Sequence, residues 1–141
     1  METLERLLGE HPFLRGVDSP HLAVLGACAR NVTFSEGEYL FREGASADWF
    51  YLIREGKVAL QAYAPGQGPA TIDSLSEGDV VGWSWVVEPF RAHFDAQAVT
   101  HVRAFALDAV CLRSKCSEDH ELGYQMLGRV LQLVESRLQA T

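Results

Sequence analysis

The sequence predicts a mainly β protein: a double-sheet jelly roll with N-terminal helices leading in and a longer helix closing the chain. Three observations carry this reading. Gly37, Gly44, Gly56, Gly78 and Gly82 punctuate a series of short apolar runs. Glycine takes positive φ without steric cost, so glycine between short strands marks the corners of a rolled antiparallel sheet. Between those corners apolar residues alternate with period two, and at both ends of the chain the period turns helical.

Leu4, Leu7 and Leu8 form a helical stripe that stops at His11-Pro12. Ser19-Pro20 then supplies an N-cap residue with proline at the first helical position, and Leu22, Leu25 and Ala29 follow at helical spacing. These helices, within 1–31, are expected to pack on the sheet and close one end of it. The strands are expected over 32–108. Val58, Leu60 and Ala62 alternate with Ala59, Gln61 and Tyr63, and Phe94, Ala96 and Ala98 alternate with Asp95, Gln97 and Val99. Pro65-Gly-Gln-Gly-Pro69 reads as a hairpin tip. About eight strands fit the stretch, the number a jelly roll needs.

Helical spacing returns over 109–141. Asp108 to Arg113 reads as a short helix, and Ser117 is expected to cap a longer one from about Glu118 onward. Within it His120, Tyr124, Leu127, Leu131, Val134 and Leu138 recur at alternating steps of four and three, the spacing of a coiled-coil seam. Met126, Val130 and Leu133 make a second stripe that would pack back on the barrel. The expectation is a homodimer joined through Tyr124, Leu127, Leu131, Val134 and Leu138, with Gly128 allowing close approach of a neighbour. The alternative is one wide stripe buried within the monomer.

Composition narrows the function. The chain has 141 residues, 48% hydrophobic and 22% charged, enough for one globular domain with an ordinary core. A formal charge of −7 argues against direct nucleic-acid binding, because clustered Lys and Arg supply most of that affinity. No apolar run reaches membrane-spanning length and the first residues lack a signal-peptide pattern, so the expected location is cytoplasmic, without membrane contact. Cys28, Cys111 and Cys116 form no even disulfide framework, which suits a reducing compartment. Cys111, Cys116 and His120 lack the four-ligand spacing of structural zinc, so the cysteines read as small buried side chains and no metal is expected. His11, His21, His93, His101 and His120 are dispersed with no H-x-H, and Ser84 lacks a nucleophile-elbow pattern. An enzyme is not expected.

The chemistry concentrates in Gly82-Trp-Ser-Trp-Val-Val-Glu-Pro-Phe-Arg91-Ala92-His-Phe-Asp95. With the glycine corners, this segment resembles the cyclic-nucleotide-binding domain of catabolite-activator-type regulators, cyclic-nucleotide-dependent kinases and gated channels. Its Gly-Trp-Ser-Trp and Arg-x-His-Phe-Asp-Ala strings are most similar to short prokaryotic members without a DNA-binding domain. The resemblance covers nearly the whole chain and implies one domain with its phosphate-binding cassette at 82–95. In that family a helix N-terminus and an arginine hold the cyclic phosphate, and a glutamate after the glycine accepts from the ribose 2′-hydroxyl.

Here Gly82 and Arg91-Ala92 match, while Trp83 stands at the ribose-binding glutamate. An indole has one donor and no acceptor, so it cannot replace the carboxylate. The resemblance implies ligand contacts from Gly82, Trp83, Ser84, Trp85, Arg91, Ala92 and His93. Trp83 and Trp85 either stack on a planar ligand or fill the hollow. Arg91, the only Lys or Arg between Asp79 and Thr100, either holds an anion or pairs with Asp95 or Glu88. His93 either faces the ligand or is satisfied by the protein.

The expected function is a dimeric, non-enzymatic sensor. It would have no obligatory cofactor and would take a cyclic nucleotide or related small anionic ligand. The alternative is a ligand-free interaction module plugged by Trp83 and Trp85. Transcription-factor members of the family add a helix-turn-helix domain. None is read here, so the sequence reads as a free-standing sensor or adaptor.

Overall fold

Two four-stranded antiparallel sheets lie against each other, as the alternation between glycine corners requires. The structure is a computed structural model describing residues 4–139. One sheet orders its strands β1 (Ala29–Phe34), β8 (Val102–Asp108), β3 (Trp49–Glu55) and β6 (Val80–Val81). The other runs β2 (Tyr39–Phe41), β7 (Asp95–Ala98), β4 (Val58–Ala64) and β5 (Gly68–Leu75). The architecture is the expected jelly roll, with helices at both ends. At Gly56, between β3 and β4, φ is +99° and an added Cβ would sit 2.2 Å from the His101 carbonyl oxygen. Only glycine fits that corner.

Helices α1 (Leu4–Glu10) and α2 (Ser19–Ala27) flank a 3-10 turn at Pro12–Leu14, and α3 (Ala109–Glu118) leads into α4 (His120–Gln139). Three boundaries differ from expectation, two of them because a neighbouring polar side chain makes the cap. Asp18, one residue before Ser19, caps α2 by accepting from the His21 amide. Ala29 begins β1 rather than extending that helix. Asp119, not Ser117, separates the last two helices, its carboxylate accepting from the Glu121 and Leu122 amides. Those bonds, the Leu122 amide first, hold its pKa below the usual carboxylate range, with His21 adding to the effect.

β3 and β8 are buried on both faces and divide the interior into two cores. On the helix side Phe50, Phe105 and Leu107 pack with Leu8, Leu14, Leu25, Leu112, Leu122 and Met126. Between the sheets lie Tyr51, Ile53, Val58, Leu75 and the alanines Ala96, Ala98, Ala104 and Ala106. Met126, Val130 and Leu133 of α4 pack onto the body, while Tyr124, Leu127, Leu131 and Leu138 are exposed and Val134 is half-buried. Gly123 is the close-approach glycine, set against Cys116, whereas Gly128 faces open space.

The cysteines correct the sequence reading. Cys28 and Cys111 are joined in a disulfide across 83 residues, because the β1–β8 pairing sets Ala29 opposite Leu107 and so brings the adjoining helix ends together. Cys116 is a half-buried free thiol whose pKa is pushed up by burial and by Asp119. Among the described residues no helix is long and apolar enough to cross a membrane, and no cluster is arranged to hold a metal.

Candidate functional site

The segment after β6 begins with a sharp reversal. Gly82 has φ of +90°, and a Cβ there would press on the Trp49 carbonyl at 3.1 Å and the Phe41 ring at 3.3 Å. It opens a 3-10 turn over Trp83–Val86. Residues of such a turn advance about 120° each, so Trp83 and Trp85 point to different sides. Trp85 is 2% exposed and enters the helix-side core, its ring centroid 5.7 Å from that of Phe50. Trp83 is half-buried: it packs against the edge of the same core and also lines a cavity of about 380 Å³.

That cavity opens beneath the cassette, walled by Phe41, Leu60, Ile72, Leu75 and Phe94 as well as Trp83. Its polar lining comes from Ser84, His93, Asp73 and Arg137. Arg137, near the end of α4, reaches over to the carboxylate of Asp73 on β5 and makes an ion pair with it. Each partner is about one-third exposed. A smaller cavity of about 190 Å³ adjoins through Phe41, Gly82 and Ser84, and Ala92 and Tyr51 line it. Burial pushes the Tyr51 hydroxyl up to about 12, so it is a neutral donor at physiological pH.

The distal half of the cassette is fixed to the barrel rather than to the cavity. Ala92 N donates to the Ala45 carbonyl, Gly44 N to that of Ala92, and Ala47 N to that of Phe90. Arg91 is exposed, and its guanidinium donates to the Gly44 carbonyl at 3.2 Å. Among the described residues it pairs with no carboxylate. Asp95 instead accepts from the Glu43 amide and lies 3.4 Å from Arg42. Arg113 of α3 holds the middle of the cassette: it donates to the Trp85 carbonyl at 3.0 Å and lies 4.1 Å over the Phe90 ring.

Of the residues singled out from sequence, the fold brings Gly82, Trp83, Ser84 and His93 to the larger cavity, with Ala92 beside the smaller one. It carries Trp85 into the opposite core and leaves Arg91 outside. The hollow is therefore not plugged by the two indoles. Asp73 and Arg137 escaped sequence reasoning because the pair spans 64 residues between an edge strand and a helix end. No local pattern announces such a contact.

The model of the cyclic nucleotide-binding domain matches residues 31–119, which contain the roll, the cassette and α3. A CRP-like cAMP-activated global transcriptional regulator of Mycobacterium tuberculosis is 29% identical over 128 residues, 91% of this chain and 57% of the regulator. The chain thus spans a little over half the length of that relative. A candidate cyclic nucleotide-binding protein of Geobacter metallireducens superposes with a TM-score of 0.88 at 23% identity, over 97% of this chain and 99% of the other. The regulatory subunit of a cAMP-independent protein kinase A from Trypanosoma brucei superposes with a TM-score of 0.74 at 24% identity, over 97% of this chain and 46% of the other.

Proposed function

Because the chain belongs to the cyclic nucleotide-binding domain family, we propose that it is a non-enzymatic regulatory sensor whose ligand sits in the cavity beneath the cassette. The observation that carries this reading is the lining of that cavity. Trp83 of the cassette and Arg137 of the terminal helix, held by Asp73, line it together. A ligand entering there touches the cassette and the helix end together. Occupancy that favours one placement of α4 over another shifts the population of the two, and a partner reads the difference.

The output surface in this reading is the exposed face of α4. Tyr124, Leu127, Leu131 and Leu138 are 55–82% exposed and lie along one side of the helix. Gly128 lies on the helix without a neighbour within 4 Å. A second copy of the chain laid against that side buries the stripe, so the sensor works as a homodimer. We place it in the cytoplasm, where the fraction of Cys28–Cys111 disulfide follows the local redox poise.

Sedimentation and hydrogen exchange test the reading together. The protein is expected to sediment as a dimer and Leu127→Glu/Leu131→Glu as a folded monomer. A bound ligand is expected to slow exchange in both 82–95 and the last turns of α4. Protection confined to the outer face of the roll would reject the cavity as the site.

A further inference from the structure

The sensor reading leaves open what kind of molecule the cavity accepts, and the lining decides this on charge. We infer that the cavity takes a small uncharged ligand with a planar apolar body, not a cyclic nucleotide or other phosphate; this rests on the cavity being the binding site. Arg137 is the only cation among the lining residues, and its guanidinium is engaged by Asp73. The pair sums to zero. A phosphate would bring a further negative charge beside Asp73 with no counterion to receive it, and desolvating an unpaired ion is costly. Arg91, the one basic side chain of the cassette, lies outside and is bonded to the Gly44 carbonyl. The chain's formal charge of −7 adds to the bias against anions.

What the lining offers instead is flat and apolar. Phe41, Trp83 and Phe94 present aromatic surface, and Leu60, Ile72 and Leu75 complete the wall. Aromatic rings prefer offset or edge contacts with another ring system. The Ser84 hydroxyl and the His93 ring have no hydrogen-bond partner among the described residues, so two polar handles remain for orienting a ligand. The volume of about 380 Å³ is in the lower part of the range for small-molecule sites. That volume admits either a fused two-ring heteroaromatic or a nucleotide, so the charge of the lining makes the choice.

The test is a fluorescence titration of the full chain with N-phenyl-1-naphthylamine, an uncharged planar probe, competed with indole and, separately, with cyclic AMP. Saturable one-to-one binding is expected, displaced by indole and changed less than about twofold by added salt, since no charge is neutralised. Ile72→Trp, at a half-exposed position on the cavity wall, should weaken it about tenfold or more while the circular dichroism spectrum stays unchanged. Saturable cyclic AMP binding that salt and Arg137→Gln both weaken tenfold would overturn the neutral-ligand inference yet keep the cavity as the site. Binding of either molecule that ignores Ile72→Trp, or none by either, would sink the cavity reading itself.

Discussion

The two faces of the β3–β8 layer are built to different ends. Toward the helices the side chains are large and close-packed: Phe50 meets Phe13 edge-on at 5.2 Å and Trp85 at 5.7 Å. Toward the second sheet the central residues are Ala96, Ala98, Ala104 and Ala106, and the larger side chains stand around an open hollow. Close packing stabilises one face, and incomplete filling leaves a hollow of about 380 Å³ on the other.

The largest test of this contrast is a pair of truncations. Phe50→Ala opens a void in the closed core and is expected to cost about 3–5 kcal/mol in urea unfolding. Ile72→Ala removes a side chain that is 50% exposed on the cavity wall and should cost under about 1 kcal/mol. Equal costs would mean that the cavity wall is as closely packed as the helix-side core. Next comes the covalent tie. Cys28→Ser frees a loop of 83 residues and is expected to destabilise by about 2–4 kcal/mol under oxidising conditions. Under strong reductant the wild type should lose most of that advantage. If the two proteins unfold together without reductant, the bond contributes nothing.

The contrast also separates what local sequence discloses from what it does not. Glycine corners and period-two alternation are properties of neighbouring residues, so the strands and the roll were legible. Helix caps were legible to within a residue or two: Asp18 rather than Ser19 accepts from the His21 amide, and Asp119 rather than Ser117 accepts from those of Glu121 and Leu122. The disulfide was hidden because it follows from strand register between β1 and β8. Site composition was half legible: Gly82, Trp83, Ser84 and His93 reach the larger cavity, but the resemblance gave no direction for Arg91. Its guanidinium is drawn outward by a carbonyl 47 residues away.

A smaller effect is expected at the clasp between cassette and helices. Arg113→Met keeps an unbranched stem over Phe90 but loses the bond to the Trp85 carbonyl and the charge above the ring. The expected loss is about 1–2 kcal/mol of global stability. Amide exchange at 83–90 should rise well beyond the rise in the helix-side strands. Uniform acceleration everywhere would make Arg113 an ordinary packing residue.

The gentlest probe is pH, and it acts on the closed face. His11 is buried; its Nδ1 accepts from the Phe13 amide, so its Nε2–H donates to the Ile53 carbonyl at 2.9 Å. Burial holds its pKa below the ordinary histidine value, outweighing the Ile53 bond, which acts the other way. In the unfolded chain His11 takes up a proton as pH falls through about 6.5, while the folded chain resists it. Its contribution is therefore complete above that pH and diminishes below it, so unfolding free energy should decline from pH 7 toward pH 5. Asp119, whose pKa is also lowered, adds its own loss only near pH 4 and below, which separates the two. His11→Gln can keep both hydrogen bonds without titrating, and it should flatten the slope between pH 7 and 5 while leaving the fall at lower pH. An unchanged slope would assign the acid sensitivity to groups other than His11.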